Sequence, residues 1–432
     1  MTQPPMESGR QSGNQWQKRY TVILLAALAI CICYIDRVII SVAIIDMQKE
    51  FGWDEATKGI VLSAFFAGYF VMQTFGGVLS NRFGGRLVLG ISVLLWSLFT
   101  LVTPLAAASL LLVLLTTRLM MGLGEGAAFP ASFNIAVQWA PVAERSRTIA
   151  LLMSSASLGT LFALTVTGWL ITEYGWRSVF YLFGIVGLLW VPVWFKLVPK
   201  QSTVSSQERQ SRDANGSIPW RLMLTQPAVL AVFAVAFTYG WTSYTFVAWL
   251  PSYFNDVYQV SLASAGLYAA GSWGVKFVMM NANAWVADWL VARGLSKALV
   301  RKLMLGLGQM GTAIGIISLN YVQSIDAAFA LMCIIFSFMA FTVASFSANI
   351  IEVSPQYADV LSGPLTSFVS VAGFISVALT GAIVQWTGGY NMAFIVAAIM
   401  CLGGSLIFVL YCSVEDVVAK AQEGCSVNHN SF

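Results

Sequence analysis

Two charged residues, Arg118 and Glu125, lie in a stretch that is apolar enough to span a bilayer, from Leu110 to Pro130. A charge at the bilayer centre costs about 2.5–3.5 kcal/mol on insertion scales, so two charges in one span need a reason. They lie seven residues apart, which is about two turns at ~3.6 residues per turn, so both face the same side of a helix. We interpret them as part of a proton or substrate relay along an aqueous path; the alternative is a structural ion pair between packed helices.

A third charged site, Asp36 followed by Arg37, lies inside the first apolar span. Successive helical residues point about 100° apart, so these two charges cannot share one face. We expect one to face a central cavity and the other a neighbouring helix. The planar, permanently charged fork of an arginine suits a carboxylate or a phosphate. The alternative for this site is an Asp36–Arg37 pair near the outer membrane surface.

The composition predicts the kind of protein that holds these charges. The chain has 432 residues, of which 58% are hydrophobic and 10% charged, with a mean hydropathy of +0.76. Such a chain is an all-α membrane protein. We count about twelve transmembrane helices of the length that a bilayer requires, near residues 20–45, 57–79, 86–106, 110–130, 147–171, 176–198, 226–250, 262–288, 301–321, 326–350, 358–386 and 390–412.

The polar stretches divide the twelve helices into two six-helix halves. Residues 1–19 are polar and are predicted to be a disordered cytoplasmic segment. Residues 20–198 form the first half, 199–221 a polar cytoplasmic linker, 222–412 the second half and 413–432 a cytoplasmic tail. Most of the 23 Lys and Arg residues fall on the side of the N-terminus. The positive-inside rule therefore places both termini in the cytoplasm.

The residue types exclude several functions. The lone histidine, His429, lies in the tail, which excludes a Ser-His-Asp triad and a histidine metal cluster. The six cysteines lack metal-ligand spacing, and no phosphate-binding loop of the GxxxxGK[ST] kind is present. We therefore expect no catalytic residues, metal or cofactor and no nucleic-acid partner. Transport would draw on an ion gradient or on the gradient of the substrate itself.

Several motifs point to a family. The connection GGVLSNRFGGR resembles the loop between helices 2 and 3 of the major facilitator superfamily, except that Asn81 stands where an aspartate is usual; Asp288 occupies the equivalent place in the second half. The stretches CYIDRVIISVAI and RLMMGLGEGAAFPA, the latter followed by WAPVAERSR, are similar to the anion:cation symporter branch. That branch holds sialin, the vesicular glutamate transporters, and bacterial galactonate and hexuronate permeases.

The resemblance implies roles for individual residues. Arg37 would bind the substrate anion, and Glu125 would couple transport to a proton, with Arg118 as its partner and Asp36 beside it. The remaining polar candidates for substrate contact are Tyr34, Tyr69, Gln73, Tyr239, Ser345, Asn349 and Ser367. Cytoplasmic gating charges would be Arg82, Arg86, Arg145 and Asp288. Lys276 is outside the family pattern and is interpreted as snorkelling, pairing locally or forming a second anion site.

Together these features predict a major facilitator fold that carries a small organic anion, first of all a hexuronate or aldonate, in symport with a proton. Alternating access would move the anion across the inner membrane, if the source is bacterial. Its partners would be the anion, the proton and the lipid bilayer, and we expect a monomer. A proton-coupled drug antiporter is the alternative, although span five, SSASLGTLFALTVTGW, lacks the proline of that class. A membrane enzyme or sensor is the other alternative.

Overall fold

The computed structural model describes residues 8–141, 144–200 and 220–417, and the regular structure in these ranges is helical. The first half contains α1 (Ser8–Phe51), α2 (Glu55–Phe83), α3 (Gly85–Ala107), α4 (Leu111–Gly126), α5 (Ala128–Trp139), α6 (Arg145–Tyr174) and α7 (Trp176–Leu197). The second contains α8 (Trp220–Met223), α9 (Pro227–Tyr258), α10 (Leu262–Ala292), α11 (Lys297–Ser318), a 3-10 turn (Leu319–Tyr321), α12 (Ile325–Val353), α13 (Ala358–Thr387) and α14 (Asn391–Tyr411). Most of the predicted linker and tail lies outside the described residues.

The N-terminal segment differs from the prediction. Helix α1 begins at Ser8, so residues 8–19 are helical rather than disordered. Once a stable span has nucleated a helix, each added residue gains a backbone hydrogen bond without a second nucleation cost. The polar composition of residues 8–19, from which we predicted disorder, does not prevent α1 from extending through them.

Eleven of the described helical segments are long and apolar enough to cross a membrane, with α4 and α5 counted as one segment. The twelfth long helix is α10, which has 31 residues but carries Lys276, Asn281 and Asn283 in its middle. These polar residues lower the mean hydropathy of α10. Its length is still sufficient for a bilayer, which needs about 20 residues. The all-α architecture of twelve long helical segments is therefore as predicted.

The fourth span is longer than predicted and is broken in the middle. It continues past Pro130 to Trp139, and the helix is interrupted at Ala127. A proline cannot donate a backbone hydrogen bond to the carbonyl four residues earlier, and its ring collides with that carbonyl. For Pro130 that carbonyl belongs to Gly126, the last residue of α4. Glu125 thus lies in the last turn before the break.

The two halves pack against each other along α2 with α13 and along α6 with α10. A Cβ added to Gly381 of α13 would lie 2.9 Å from the Cα of Gly59 in α2. A Cβ added to Gly168 of α6 would lie 2.5 Å from the carbonyl oxygen of Leu262, where α10 begins. Glycine at these points lets the helix backbones of the two halves approach closely.

Glycines also bring α4 close to α2, at Gly122 and Gly126, and to α3, at Gly124, as expected for helix packing. A Cβ on Gly122 would lie 2.0 Å from the carbonyl oxygen of Phe65, and one on Gly126 would lie 2.7 Å from that of Tyr69. These contacts confirm that the glycines serve helix packing. They also fix the depth and the rotation of α4, and therefore the position of Glu125.

Replacing Gly122 by alanine tests this packing. We expect Gly122→Ala to lower the free energy of unfolding by about 1–3 kcal/mol, because the added methyl group meets backbone atoms that cannot rotate away. The measurement is the thermal unfolding midpoint of the purified protein in detergent. Gly403→Ala is the matched control, since Gly403 lies in α14 with nothing within 4 Å of its added Cβ. Equal midpoints for the two variants would contradict the packing role.

Candidate functional site

A buried ion pair between Arg37 and Glu125 lies at the centre of the first half. Nε of Arg37 donates a hydrogen bond to Oε2 of Glu125 at 2.9 Å, and Nη2 lies 2.9 Å from the same oxygen. The side chains are 3% and 0% exposed. Sγ of Cys33, one helical turn before Arg37, donates to this oxygen at 3.3 Å. The pair therefore joins α1 to the end of α4 at membrane depth.

Three aromatic rings surround the guanidinium of Arg37. Its Cζ lies 4.2 Å from the ring centre of Tyr69, 4.4 Å from that of Tyr34 and 5.1 Å from that of Phe65. The negative face of an aromatic ring attracts a cation, and this attraction grows when water is absent. Two of the predicted substrate residues, Tyr34 and Tyr69, thus lie directly against the predicted anion-binding arginine.

Arg118 is not the ion-pair partner of Glu125 that we expected. Its Nη1 donates to Sδ of Met121 at 2.9 Å, and its Cζ lies 5.5 Å from the ring centre of Phe65. It stays within electrostatic reach of Glu125 and Asp36. Arg118 and Glu125 are seven positions apart on α4, which separates them by roughly 10 Å along the helix axis. Arg37 approaches Glu125 from another helix, α1, and contacts it directly.

Asp36 lies on a different face of α1 from Arg37, as predicted. Asp36 is fully buried near Trp96 of α3, and it remains within electrostatic reach of Glu125 and Arg118. The cluster thus holds two arginines and two carboxylates, all nearly inaccessible. With every group ionised their charges cancel, which makes the burial of four charges tolerable.

Both arginines border a small cavity that also involves the second half. Its lining comes from α1, α2 and α4 of the first half and from α9 of the second, and consists of Arg37, Ile40, Ser41, Leu62, Phe65, Phe66, Arg118, Val247 and Ala248. The two arginines therefore face a space between the halves rather than lipid.

Two further predicted residues, Gln73 and Ser367, lie where α2 meets α13. Oε1 of Gln73 accepts a hydrogen bond from Ser370 at 2.7 Å. The hydroxyl oxygens of Ser367 and Thr74 are 3.1 Å apart. These contacts cross between the halves, so they would have to change if the halves move relative to each other.

Ser345 and Asn349 make hydrogen bonds outside the Arg37 cluster in this structure, and their predicted contact with substrate stays a prediction. The hydroxyl of Ser345 donates to the carbonyl of Arg301 at 2.8 Å, and Nδ2 of Asn349 donates to the carbonyl of Ser413 at 2.7 Å. Both side chains bond to backbone near the ends of α11 and α14. Buried polar side chains find hydrogen-bond partners, and here the partners are backbone carbonyls of α11 and of the residue that follows α14 by two positions.

The predicted gating charges make contacts within their own half or are exposed. Arg86 donates to the carbonyls of Val198 at 2.7 Å and Phe195 at 2.8 Å, and Arg145 donates to that of Val137 at 3.1 Å. Arg82 and Asp288 are exposed. Their gating role stays a prediction.

In the second half, Tyr239 accepts a hydrogen bond from Lys276 at 2.8 Å. Lys276 is 4% exposed, so it pairs locally and does not snorkel to the surface.

The sequence reasoning missed Cys33 and Phe65. Both could have been found, since Cys33 precedes Arg37 by four residues and Phe65 precedes Tyr69 by four, which places each pair on one helix face.

A double-mutant cycle can decide which arginine pairs with Glu125. We expect Arg37→Met or Glu125→Leu alone to destabilise the protein by about 3–5 kcal/mol, because each leaves an unpaired buried charge, and the double variant by much less than the sum. The measurement is the unfolding free energy in detergent. The same cycle with Arg118→Met is the control and should show weaker coupling. Stronger coupling to Arg118 than to Arg37 would contradict the observed pairing.

Comparison with known proteins agrees with this architecture. The family model described as Major Facilitator Superfamily matches residues 26–376. The chain is similar to the chloroplastic ascorbate transporter of Arabidopsis thaliana, with 36% identity over 96% of this chain and 79% of that protein. It is also similar to sodium-dependent phosphate transport protein 1, chloroplastic, of the same plant, with 35% identity over 94% and 81%.

Solved structures share the fold. A bacterial homologue of the human lysosomal transporter Spinster, inward-facing and occupied, aligns with a TM-score of 0.77 and 17% identity over 91% of this chain and 96% of that chain. A D-xylose-proton symporter aligns with a TM-score of 0.73 and 16% identity over 91% and 98%. The relatives in sequence are anion transporters, which confirms the resemblance to the anion:cation symporter branch. The chain therefore belongs to the major facilitator superfamily and is a multi-pass membrane transporter, not an enzyme.

Proposed function

We propose that this transporter carries a small organic anion by alternating access and that Glu125 couples the movement of the anion to a proton. The observation that carries the proposal is the buried pair of Arg37 and Glu125, joined at 2.9 Å, in which Arg37 also lines a space between the halves. Charged groups at membrane depth mark substrate and proton pathways.

The charges of the cluster indicate how coupling would work. With Glu125 ionised, its negative charge neutralises Arg37, and the four buried charges sum to zero. When Glu125 takes a proton, Arg37 loses its counter-ion, and the cluster gains a net positive charge. The rings of Tyr34, Tyr69 and Phe65 attract the cation but carry no negative charge that could replace the carboxylate. An incoming anion would replace it, so the proton and the anion would bind together.

The class of anion follows from the groups around Arg37. The guanidinium suits an oxyanion, and the hydroxyls of Tyr34, Tyr69 and Ser41 could bond to hydroxyl groups of a substrate. The names of the relatives, which transport ascorbate or phosphate, support an oxyanion. Ascorbate, hexuronates and aldonates are all anions that bear hydroxyl groups. A test panel should contain these three and inorganic phosphate. The anionic substrates of the relatives lend no support to the drug-antiporter alternative.

The halves would rock about this site, breaking and remaking the contacts between α2 and α13 and between α6 and α10. Because both sides of the cavity come from one chain, a monomer suffices. We propose that the protein lies in an energised inner membrane, either of a bacterium or, in line with its chloroplastic relatives, of a plastid. Both termini would lie on the side where most Lys and Arg residues fall.

Glu125→Gln tests the coupling. We expect this variant to lose uphill accumulation driven by a pH gradient but to keep exchange of anion across the membrane, because a neutral amide mimics the protonated carboxyl and cannot release a proton. The measurement is uptake and counterflow of labelled ascorbate or phosphate in proteoliposomes. Glu173→Gln, at an exposed position, is the control and should behave as the wild type.

The same vesicles separate proton from sodium coupling. A sodium gradient at equal pH on both sides should not drive accumulation in the wild type. If sodium alone drives uptake and Glu125→Gln leaves that uptake intact, the assignment of Glu125 as proton carrier is wrong.

A further inference from the structure

Lys276 is a buried cation in the middle of α10. It lies 14 residues after Leu262, the first residue of that helix, or about 21 Å along the axis. Nζ donates to the hydroxyl of Tyr239 at 2.8 Å and to that of Ser243 at 3.4 Å. It also lies 4.3 Å from the ring centre of Trp273 and 5.1 Å from that of Tyr239. These partners are neutral, so the positive charge is not cancelled.

Another buried lysine shows what a structural lysine looks like in this protein. Lys58 is 0% exposed, and its Nζ lies 3.4 Å from a carboxylate oxygen of Glu55 and 3.8 Å from one of Asp256. Around Lys276, no carboxylate of the described residues lies within ion-pair distance. An uncompensated charge at this depth costs several kcal/mol, and a role in packing alone would not require a charged residue.

The surroundings of Lys276 mirror those of Arg37 in the first half. Each cation is held among aromatic rings, but only Arg37 has a carboxylate partner. The two clusters are linked across the halves. Tyr244, which follows Ser243 on α9, packs against Phe66 of α2 with ring centres 4.5 Å apart, and Phe66 adjoins Phe65 beside Arg37. Tyr239 is partly exposed, whereas Lys276 and Ser243 are buried.

We propose that Lys276, Tyr239 and Ser243 form an oxyanion-binding subsite of the second half, so that the transported anion is held between the halves. This inference rests on the proposed function. The subsite would take a carboxylate, an enolate or a phosphate group. With Glu125 ionised, Arg37 is neutralised, and Lys276 is the charge that attracts the substrate. With Glu125 protonated, both cations hold it from opposite sides.

Equilibrium binding of ascorbate and of inorganic phosphate to the purified full chain in detergent tests the subsite. We expect Lys276→Gln to weaken binding of at least one anion by about tenfold or more, since a hydrogen bond to a charged group contributes about 1.5–3 kcal/mol. Lys276→Arg, which keeps the charge, should restore most of the affinity. Lys297→Gln, at an exposed position on α11, is the control and should bind as the wild type.

A second pair of substitutions guards against misfolding of the lysine variants. Tyr239→Phe combined with Ser243→Ala removes the two oxygens that hold Nζ while keeping its charge. We expect this double variant to bind several-fold more weakly and to elute as the wild type does in size-exclusion chromatography. Unchanged affinity in this variant would contradict the subsite even if neither lysine variant folds.

The outcomes separate this inference from the proposed function. If the wild type binds an anion and Arg37→Gln abolishes binding while Lys276→Gln leaves it unchanged, the anion is held by the first half alone and the subsite is wrong. If the wild type binds neither probe nor the hexuronate and aldonate of the panel, the proposed substrate class fails with it.

Discussion

The site depends on one constraint: two opposite charges, Arg37 and Glu125, are enclosed at membrane depth and are stable there only together. Removing either partner from such a pair leaves a charge that the interior cannot solvate. The pair links α1 to α4, two helices of the same half, and its arginine lines the space shared with the other half. In the proposed cycle a proton, instead of Arg37, neutralises Glu125, and the substrate anion, instead of Glu125, neutralises Arg37.

Other features of the first half serve to position this pair. The glycines of α4 allow its backbone to touch that of α2, and Pro130 interrupts the helix just after Glu125. The rings of Tyr34, Tyr69 and Phe65 surround the guanidinium without neutralising it. Aromatic faces are suited to this purpose, because they attract a cation but leave its charge available to an anion.

The two halves differ in how their buried charges are balanced. The first half contains balanced charges whose balance a proton can change. The second half holds Lys276 among neutral hydroxyl partners. A substrate anion that bridges them would meet one cation, Arg37, whose counter-ion can take up a proton, and one, Lys276, that has no carboxylate counter-ion among the described residues. This asymmetry would let the proton control the affinity for the anion without abolishing the attraction that brings the anion into the site.

The sequence alone determined the membrane class, the family, the arrangement of long helices and the buried charges, because hydropathy and the cost of charge in lipid are local properties. It also identified Arg37, Glu125, Tyr34 and Tyr69, which the structure brings together. It paired Glu125 with Arg118, whereas the structure pairs Glu125 with Arg37. Spacing along the chain shows which residues share a face of one helix, but Arg37 and Glu125 are 88 residues apart. Only the tertiary arrangement, in which Gly122 and Gly126 hold α4 against α2 and the side chain of Arg37 reaches Glu125 from α1, decided which arginine meets the carboxylate.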